Sequence, residues 1–249
     1  MTLLKDKVAI VTGAATGIGE GISQLFASHG ARVFMGDRDA ARLRTAVDGV
    51  NANHGAADLV LCDVAATASV NAMAETAMRQ AGRIDILINN AGIYPRRTFL
   101  EMTEKDWDEM QDINLKGVYR CTKAVLPHMV DQKYGKIVNI SSVTFHLGAP
   151  NLTHYVAAKG GVIGLTRSLA REVGEQTVYV NCVTPGAILV EREKEVVDEE
   201  GVKYMVAHQS LKRRLVPLDI ARACLFLSSE LSDGMTGQTL NVDGGWHMY

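Results

Sequence analysis

The stretch that decides the fold is VAIVTGAATGIG, residues Val8 to Gly19, near the start of the 249-residue chain. Val8 to Val11 is a continuous apolar run, which is typical of a strand that is buried on both faces. A glycine-rich turn follows, and then a helical apolar pattern runs through Ile22, Leu25 and Phe26. This order of strand, glycine-rich turn and helix is the context in which a dinucleotide is bound.

Three glycines in this turn have separate expected roles. Gly13 permits the tight turn after the strand, Gly17 lets the backbone approach a pyrophosphate, and Gly19 allows the helix to pack closely. The backbone N–H groups from Thr16 to Ile18 open the helix and would face the phosphates. The spacing is G-x-x-x-G-x-G rather than the commoner G-x-G-x-x-G. A glycine-rich turn without a ligand is the alternative, but the flanking strand and helix favour binding.

An acidic residue ends the second predicted strand, which runs from Arg32 to Met35. Gly36-Asp37-Arg38 follows it, and a carboxylate at this point accepts hydrogen bonds from the adenosine ribose hydroxyls. Asp37 would repel a 2′-phosphate, so it favours NAD over NADP. Arg38 is the opposing signal, because an arginine here can hold that phosphate. A solvated cation and a side chain that stacks on adenine are the other interpretations of Arg38.

Two more predicted strands end in residues that suit cofactor binding. Leu59 to Leu61 is followed by Cys62-Asp63-Val64, where Asp63 either bonds an adenine amino group or caps the next helix. Ile84 to Ile88 is followed by Asn89-Asn90-Ala91-Gly92. Small and amide residues there suit a backbone that lies against a cofactor, and a polar turn is the alternative.

A serine, a tyrosine and a lysine lie in the stretch from Asn139 to Gly164, NISSVTFHLGAPNLTHYVAAKGGVIG. Ser142 follows the apolar run from Lys136 to Ile140, which predicts a fifth strand, so it lies at a strand's carboxyl end, where such sheets bind ligands. Tyr155 and Lys159 are spaced i to i+4 in a helical segment. Their side chains therefore share one helical face.

This set of groups suits proton transfer to or from an alcohol oxygen. A free tyrosine has a pKa of about 10, and lowering the pKa to about 7 requires roughly 4 kcal/mol from the neighbours. A partly desolvated Lys159 together with a positively charged cofactor can supply this, because a cation favours the phenolate. The Ser142 hydroxyl can orient the same substrate oxygen. Taken alone, the Tyr-x-x-x-Lys spacing more often reflects packing than catalysis.

A long helical pattern and two further strands complete the alternation of strands and helices. The helix is predicted from Glu104 to Val130, and Asn114 lies inside it at a cost in helix propensity. Asn114 either holds a water in a proton path or satisfies buried backbone groups. Strands at Val178–Val183 and Thr239–Val242 follow. The whole pattern predicts an α/β fold with a doubly wound parallel sheet.

Composition and charge exclude several classes of function. The net charge is −2 and no basic stripe is present, so nucleic acid is not an expected partner. No apolar run reaches the ~18 residues that a membrane span needs, and the N-terminus lacks a signal-peptide pattern. The four scattered cysteines indicate reduced thiols in a cytoplasmic protein. The seven histidines lack metal-ligand spacing, so no catalytic metal is expected.

Taken together, these residues resemble the short-chain dehydrogenase/reductase family over the full length of the chain. The resemblance implies a Rossmann-type sheet of seven parallel strands in the order 3-2-1-4-5-6-7, with helices on both faces. It also implies a homotetramer that pairs the helices carrying Asn114 and Tyr155. The matching positions are Thr12-Gly13 through Gly19, Asp63, Asn89-Asn90-Ala91-Gly92, Asn114, Ser142, Tyr155, Lys159, Pro185-Gly186 and Asn241-Val242-Asp243-Gly244-Gly245.

The resemblance also implies roles for individual residues. Tyr155 would be the general acid/base, and Lys159 would lower its pKa and bond the nicotinamide ribose. Ser142 would orient the substrate oxygen, and Asn114 would hold a relay water. Cofactor contacts are expected at Gly13, Thr16, Gly17, Ile18, Gly19, Asp37, Arg38, Asp63, Val64, Asn90, Ala91, Gly92, Tyr155, Lys159, Pro185, Gly186 and Ile188.

One position departs from the family pattern. Val190 stands where the family often has a threonine that touches the cofactor's amide or phosphate, so that hydroxyl contact is in doubt. His146 lies four residues after Ser142, so its side chain could face the substrate. A pocket-wall or surface position explains this histidine at least as well. Substrate contacts are expected, by position, at Tyr94, Arg96, Ser142, Thr144, His146, Asn151, Tyr155, Ile188 and Val190.

The chain is predicted to form one domain over residues 1–249, with a mobile substrate lid around residues 187–212. This segment follows the carboxyl end of a predicted strand, and it is rich in charge from Glu191 to Glu195 and from Asp198 to Glu200. A solvated helical face is the ordinary interpretation of such a segment. A lid is compatible with that interpretation.

The functional hypothesis is NAD-dependent, reversible oxidation of a secondary alcohol or a related small hydroxy compound, within EC class 1.1.1. Asp37 and the set Asn114, Ser142, Tyr155 and Lys159 support it. An NADPH-dependent reductase of 3-oxoacyl thioesters is the enzymatic alternative, because it shares nearly every motif. A non-catalytic nucleotide sensor on the same fold would have lost a catalytic position, and none is lost here.

Overall fold

The chain folds around one sheet of seven strands. A computed structural model describes residues 2–53, 55–191 and 198–248. The strands follow the order 3-2-1-4-5-6-7, and every pairing between neighbours is parallel. The predicted Rossmann-type sheet is therefore confirmed, together with its order and its doubly wound path.

The strands follow the predicted apolar runs, with shifts of two or more residues at two starting points. The third strand begins earlier than predicted because Asp58 interrupts its apolar run, and Arg32 holds this carboxylate at 2.7 Å. The fourth begins later because the Asp85 carboxylate turns to accept a hydrogen bond from the Val8 N–H at 2.9 Å. The strands are β1 (Val8–Thr12), β2 (Arg32–Asp37), β3 (Ala56–Leu61), β4 (Ile86–Asn89), β5 (Gly135–Ile140), β6 (Val178–Pro185) and β7 (Thr239–Val242).

The helices connect the strands and cover the sheet. They are α1 (Gly17–Ser28), α2 (Ala40–Ala52), α3 (Thr67–Ala81), α4 (Glu104–Gln111), α5 (Gly117–Asp131), α6 (Thr144–Leu147), α7 (Thr153–Val173), α8 (Glu199–His208) and α9 (Pro217–Ser228). A π-helical turn, Asp112–Lys116, joins α4 to α5. The long helix predicted from Glu104 to Val130 therefore forms, with a wider turn around Asn114. None of the described helices is both long and apolar enough to cross a lipid bilayer.

Side chains along the central strand alternate between two apolar cores. Ala9 and Val11 pack in the core that includes buried residues of α1, α2 and α9, whereas Val8 and Ile10 pack in the core that includes residues of α3, α5 and α7. Successive side chains of a strand point to opposite faces of the sheet. A strand covered on both faces therefore needs apolar residues at consecutive positions, and all of β1 is buried.

Candidate active site

The carboxyl ends of four neighbouring strands meet at one edge of the sheet. β1 leads to Gly13, β4 to Asn90, β5 to Ser142 and β6 to Gly186. The strand order reverses between β1 and β4, and open α/β sheets bind their ligands in the crevice at such a point. The topology thus brings the glycine-rich turn and the Ser-Tyr-Lys segment to the same cleft.

The glycine-rich turn lacks the space for side chains at three positions. Gly13 and Gly17 have φ angles of +64° and +63°, a region that favours glycine. A Cβ atom on Gly13 would lie 2.8 Å from the Ala91 Cα, and one on Gly19 would overlap the Gly13 carbonyl oxygen. The first N–H groups of α1 follow directly and have no partner within their own helix. This turn fits a pyrophosphate, as the glycine pattern predicts.

A cluster of hydrogen bonds ties this turn to the loop after β4. The Thr12 hydroxyl accepts hydrogen bonds from the N–H groups of Asn90 at 3.1 Å and of Ala91 at 3.2 Å. The Asn90 amide donates to the carbonyls of Thr12 and Gly13, both at 3.0 Å. Asn90 was predicted only as a cofactor contact, and Thr12 was given no individual role. Their shared function is to hold the two loops of the cleft together.

The Asp37 carboxylate is fixed at the end of β2. Its Oδ2 accepts a hydrogen bond from the Ala15 N–H at 3.2 Å, and its Oδ1 accepts one from the Asp39 N–H at 3.0 Å. Both carboxylate oxygens therefore stay beside the glycine-rich turn, where an adenosine ribose would lie next to a pyrophosphate in that turn. The Arg38 side chain is exposed.

Asp63 does not cap the helix that follows it. Its Oδ1 accepts a hydrogen bond from the Ala65 N–H at 2.9 Å, while α3 begins after Ala66 without a side-chain cap. The helix-cap interpretation of Asp63 is wrong, because the turn places its carboxylate before the true helix start. Val64 is buried beside it, against the position of Gly117.

Two of the predicted reactive side chains, Asn114 and Lys159, lie beside Gly92. A Cβ atom on Gly92 would lie 2.5 Å from the Asn114 Oδ1 and 3.6 Å from the Lys159 Nζ. The Lys159 Nζ lies 5.6 Å from the centre of the Tyr155 ring and donates a hydrogen bond to the Ile140 carbonyl at 2.8 Å. The structure therefore brings together groups that are far apart in sequence, at a point where only a glycine fits.

Asn114 satisfies buried backbone groups, which is one of the two roles considered for it. Its amide donates to the carbonyls of Ile93 at 3.0 Å and Met110 at 3.2 Å, and its Oδ1 accepts from the Ile93 N–H at 3.2 Å. The side chain is fully buried in the π-helical turn. Asn114 thereby fixes the chain that passes between it and the Lys159 ammonium.

Burial changes the protonation of both Tyr155 and Lys159. Burial raises the pKa of Tyr155 to about 12, against the opposing effect of a hydrogen bond with Ser142. Burial lowers the pKa of Lys159 from 10.5 to about 8. The protein alone therefore does not make the phenol acidic. A positive charge beside the phenol, such as that of Lys159 or of a bound nicotinamide, would favour the phenolate.

The expected substrate-side residues divide into two groups. The Tyr94 ring contacts the Tyr155 ring edge-on, with 6.4 Å between their centres. The His146 ring instead stacks on His247 at 5.0 Å and lines a separate cavity together with Arg167. Stacking on the C-terminal segment explains why His146 faces that cavity, since a four-residue spacing from Ser142 does not determine direction.

Two other expected substrate positions lie on the protein surface. Arg96 and Asn151 are exposed. Asn151 has a φ angle of +65°, and its carbonyl accepts a hydrogen bond from the Arg97 N–H at 2.9 Å. The backbone of Asn151 therefore links two loops, Tyr94–Arg97 and the segment before α7.

The segment after β6 lies over the glycine-rich turn. Ile188 is buried and bridges to Leu215 in a parallel arrangement. The Val190 Cγ1 lies 3.2 Å from the position that a Gly17 Cβ would take. Residues 192–197 of the predicted lid are outside the described residues. In the rest of the lid, α8 has no buried residue, and Tyr204 and His208 pack near Trp246.

Comparisons with known proteins agree with this geometry over nearly the whole chain. The family model described as enoyl-(acyl carrier protein) reductase matches residues 13–247. A (2S)-[(R)-hydroxy(phenyl)methyl]succinyl-CoA dehydrogenase subunit from Thauera aromatica is 39% identical, over 99% of this chain and 98% of the relative. A 3-oxoacyl-[acyl-carrier-protein] reductase from Thermotoga maritima is 38% identical, over 97% of this chain and 98% of the relative.

The chain belongs to the short-chain dehydrogenase/reductase family. A solved structure of a putative gluconate dehydrogenase from Agrobacterium tumefaciens is similar with a TM-score of 0.94 and 31% identity, covering 98% of this chain and 96% of the other. This short-chain dehydrogenase/reductase is therefore an oxidoreductase that uses a nicotinamide dinucleotide and a small-molecule substrate. The family resemblance predicted from the sequence is confirmed.

Proposed function

We propose that this protein is an NAD-dependent oxidoreductase that interconverts a secondary alcohol, or a related small hydroxy compound, and its carbonyl. The observation that carries the proposal is a chain of contacts: Asn114 and Lys159 lie beside Gly92, Lys159 lies beside the Tyr155 ring, and Tyr155 is hydrogen-bonded with Ser142. A bound nicotinamide would supply the hydride acceptor or donor. The side chains of this cleft would move the proton of the alcohol.

Each side chain has a separate task in this proposal. Tyr155 takes the alcohol proton during oxidation and returns it during reduction. Ser142 donates a hydrogen bond to the substrate oxygen. Lys159 is a cation at neutral pH, and it stabilises the phenolate and binds the nicotinamide ribose. Asn114 holds the Gly92–Ile93 segment in place. The π-helical turn that contains Asn114 binds a water of the proton path.

Asp37 supports NAD as the cofactor. Its carboxylate is held beside the turn by two backbone N–H groups, so a 2′-phosphate would meet a fixed negative charge. The exposed Arg38 would pack against adenine in this arrangement. The remaining cofactor contacts are assigned to Gly13, Thr16, Gly17, Ile18, Gly19, Asp63, Val64, Asn90, Ala91, Gly92, Tyr155, Lys159, Pro185, Gly186 and Ile188.

A second candidate function is reduction of 3-oxoacyl thioesters with NADPH. The similarity to 3-oxoacyl-[acyl-carrier-protein] reductases, at 38% identity over 97% of the chain, favours it. Both functions use the same proton-transfer groups. They differ in the cofactor and in whether the substrate carries a thioester.

Turnover of a substrate panel tests the proposal directly. Secondary alcohols, sugars, hydroxysteroids, ketones and 3-oxoacyl thioesters would be tested with NAD(H) and NADP(H), with the nicotinamide absorbance as the readout. We expect turnover of a hydroxy compound and a higher kcat/KM with NAD than with NADP. A strong preference for NADPH together with a thioester substrate would establish the second candidate instead.

Replacing Val190 with threonine is expected to tighten NAD binding. Val190 lies over Gly17, so a hydroxyl at this position reaches the phosphate side of the glycine-rich turn. One added hydrogen bond corresponds to roughly a fivefold lower Kd. The Kd of NADH, measured from its fluorescence, checks this result, with Val190→Ala as the matched control. An unchanged Kd in Val190→Thr would show that this side chain does not face the cofactor.

The proposal also covers the subunit assembly, a substrate lid and the cellular location of the protein. We propose a homotetramer that pairs the helices carrying Asn114 and Tyr155, and one domain in which the segment around residues 187–212 closes on the substrate. Cytoplasmic location is supported by the four cysteines, which are all buried free thiols. The exposed Tyr119 and Gly164 on the helix faces support the subunit pairing.

A further inference from the structure

Thr144 makes two hydrogen bonds to the hydroxyl of Ser142. The Thr144 backbone N–H donates to the Ser142 Oγ at 3.2 Å, and the Thr144 side-chain hydroxyl donates to the same oxygen at 2.9 Å. Both donors come from one residue at the start of α6. The Thr144 hydroxyl therefore faces the serine, although the sequence pattern assigned it to the substrate.

These two contacts use the full acceptor capacity of the serine. A hydroxyl oxygen has two acceptor lone pairs and one proton to donate. With both lone pairs engaged by Thr144, the Ser142 hydroxyl retains only its proton for other partners. This proton is on the side of Tyr155, whose pKa is held below the value that burial alone would give by a side-chain hydrogen bond with Ser142. A bound substrate oxygen would replace Tyr155 as its acceptor.

The segment that carries Thr144 is firmly held. The Val143 N–H donates to the Pro185 carbonyl at 2.9 Å, and the Ser141 N–H donates to the Val183 carbonyl at 2.8 Å. The Ser141 hydroxyl donates to the Lys159 carbonyl at 2.8 Å. Hydrogen bonds to β6 and α7 thus fix the backbone on which both hydroxyls stand.

We infer that Thr144 is a positioning residue that makes Ser142 a one-way hydrogen-bond donor toward the reacting oxygen. This inference rests on the function proposed above. A carbonyl oxygen can only accept hydrogen bonds, so a donor is the one form of Ser142 that can polarise it. A serine that is free to rotate could instead accept a hydrogen bond from the Tyr155 hydroxyl, in competition with the substrate oxygen.

The test compares Thr144→Val with Thr144→Ser. Valine has nearly the shape of threonine but lacks the hydroxyl donor, whereas serine keeps it. We expect Thr144→Val to lower kcat roughly fivefold to tenfold with little change in KM, since one hydrogen bond is lost at the reacting centre. We also expect the pH profile of kcat/KM to shift to higher pH, because Ser142 would no longer be held as a donor to the phenolate. Thr144→Ser should restore both.

The same substitution in a Ser142→Ala background separates positioning from other roles. Thr144 acts through Ser142, so adding Thr144→Val to Ser142→Ala should cause no further loss. Wild-type kinetics in Thr144→Val would overturn the inference, as would a full further loss in the Ser142→Ala background. A higher KM with an unshifted pH profile would also overturn it, because that result indicates a direct substrate contact.

A spectroscopic readout keeps this test independent of the proposed function. If the wild-type protein turns over nothing in the panel, the proposed function fails. The Cζ resonance of Tyr155, assigned with Tyr155→Phe in ¹³C-tyrosine-labelled protein, then reports the hydrogen bond from Ser142. The chemical shift of this resonance should change in Thr144→Val and stay at the wild-type value in Thr144→Ser. An unchanged resonance in Thr144→Val would overturn the role of Thr144.

Discussion

Replacing Tyr155 with phenylalanine is expected to lower kcat/KM by roughly three orders of magnitude, because it removes the proposed general acid/base. The ring is preserved, so its edge-on contact with Tyr94 remains. The Kd of NADH is expected to rise by no more than about fivefold, since the change costs at most one hydrogen bond to the ribose. The loss therefore belongs to the chemical step and not to cofactor binding.

The measurement is steady-state turnover of the best panel substrate, together with the fluorescence of bound NADH. Tyr179→Phe is the matched control, because it also removes only a phenol hydroxyl and Tyr179 lies near the start of β6, at the edge of the sheet opposite the cleft. Turnover close to wild type in Tyr155→Phe would remove Tyr155 from the chemistry. The cleft around Gly92 would then need another proton donor.

Replacing Lys159 with methionine is expected to abolish most activity and to stabilise the fold at neutral pH. Burial lowers the pKa of Lys159 from 10.5 to about 8, so keeping it charged costs about 3 kcal/mol of folding free energy. Methionine fills a similar volume without the charge. The lost hydrogen bond to Ile140 offsets part of the gain. The Tm at pH 7 should rise by roughly 5 °C.

The pH dependence of this gain follows from the direction of the shift. Below about pH 8 the lysine is charged in both the folded and the unfolded state, so the full cost is present. Between about 8 and 10.5 only the unfolded state binds the proton, so the wild-type protein gains stability as the pH rises. The difference between Lys159→Met and wild type should therefore shrink across this range.

Thermal unfolding of the cofactor-free proteins from pH 7 to pH 10 checks this prediction. The control is Lys123→Met, which changes an exposed lysine on α5 and should leave the pH dependence as in wild type. A Lys159→Met protein that is less stable than wild type at pH 7 would show that Lys159 contributes more through its contacts than its burial costs.

A second buried lysine illustrates why this effect is specific to Lys159. The Lys136 ammonium is fully buried but lies 2.6 Å from an Asp233 carboxylate oxygen and 2.7 Å from the Ser229 carbonyl. Paired and hydrogen-bonded charges avoid much of the cost of burial. Within the described residues, the Lys159 ammonium has the Ile140 carbonyl as a partner and forms no salt bridge with a carboxylate. Such an unbalanced charge is typical of a functional site.

Sequence patterns predicted the parts of this protein that depend on local rules. The apolar runs at Val8 and Val178 indicate buried strands wherever they lie, and the i to i+4 spacing places Tyr155 and Lys159 on one face of any helix. The positive φ angles of Gly13 and Gly17 are likewise a local property of the turn. These features needed no information from distant parts of the chain.

The roles that the sequence did not predict depend on contacts between distant segments. The sequence offered two roles for Asn114 and could not name Ile93 as the partner of its amide. The direction of His146 depends on its stacking with His247. The hydrogen bonds between Thr12 and Asn90 join residues that no local sequence pattern relates. Thr144 is the exception, because its partner Ser142 is two residues away, but the donor direction of a hydroxyl pair is not visible in a sequence.

The hydrogen bonds between Thr12 and Asn90 have a consequence for binding energetics. They hold the two loops of the cleft at a fixed separation, so the entropy of arranging these loops is lost during folding and not when the dinucleotide binds. A preorganised crevice of this kind couples affinity to stability. Substitutions that loosen the junction of β1 and β4 would weaken dinucleotide binding even where they touch no atom of the ligand.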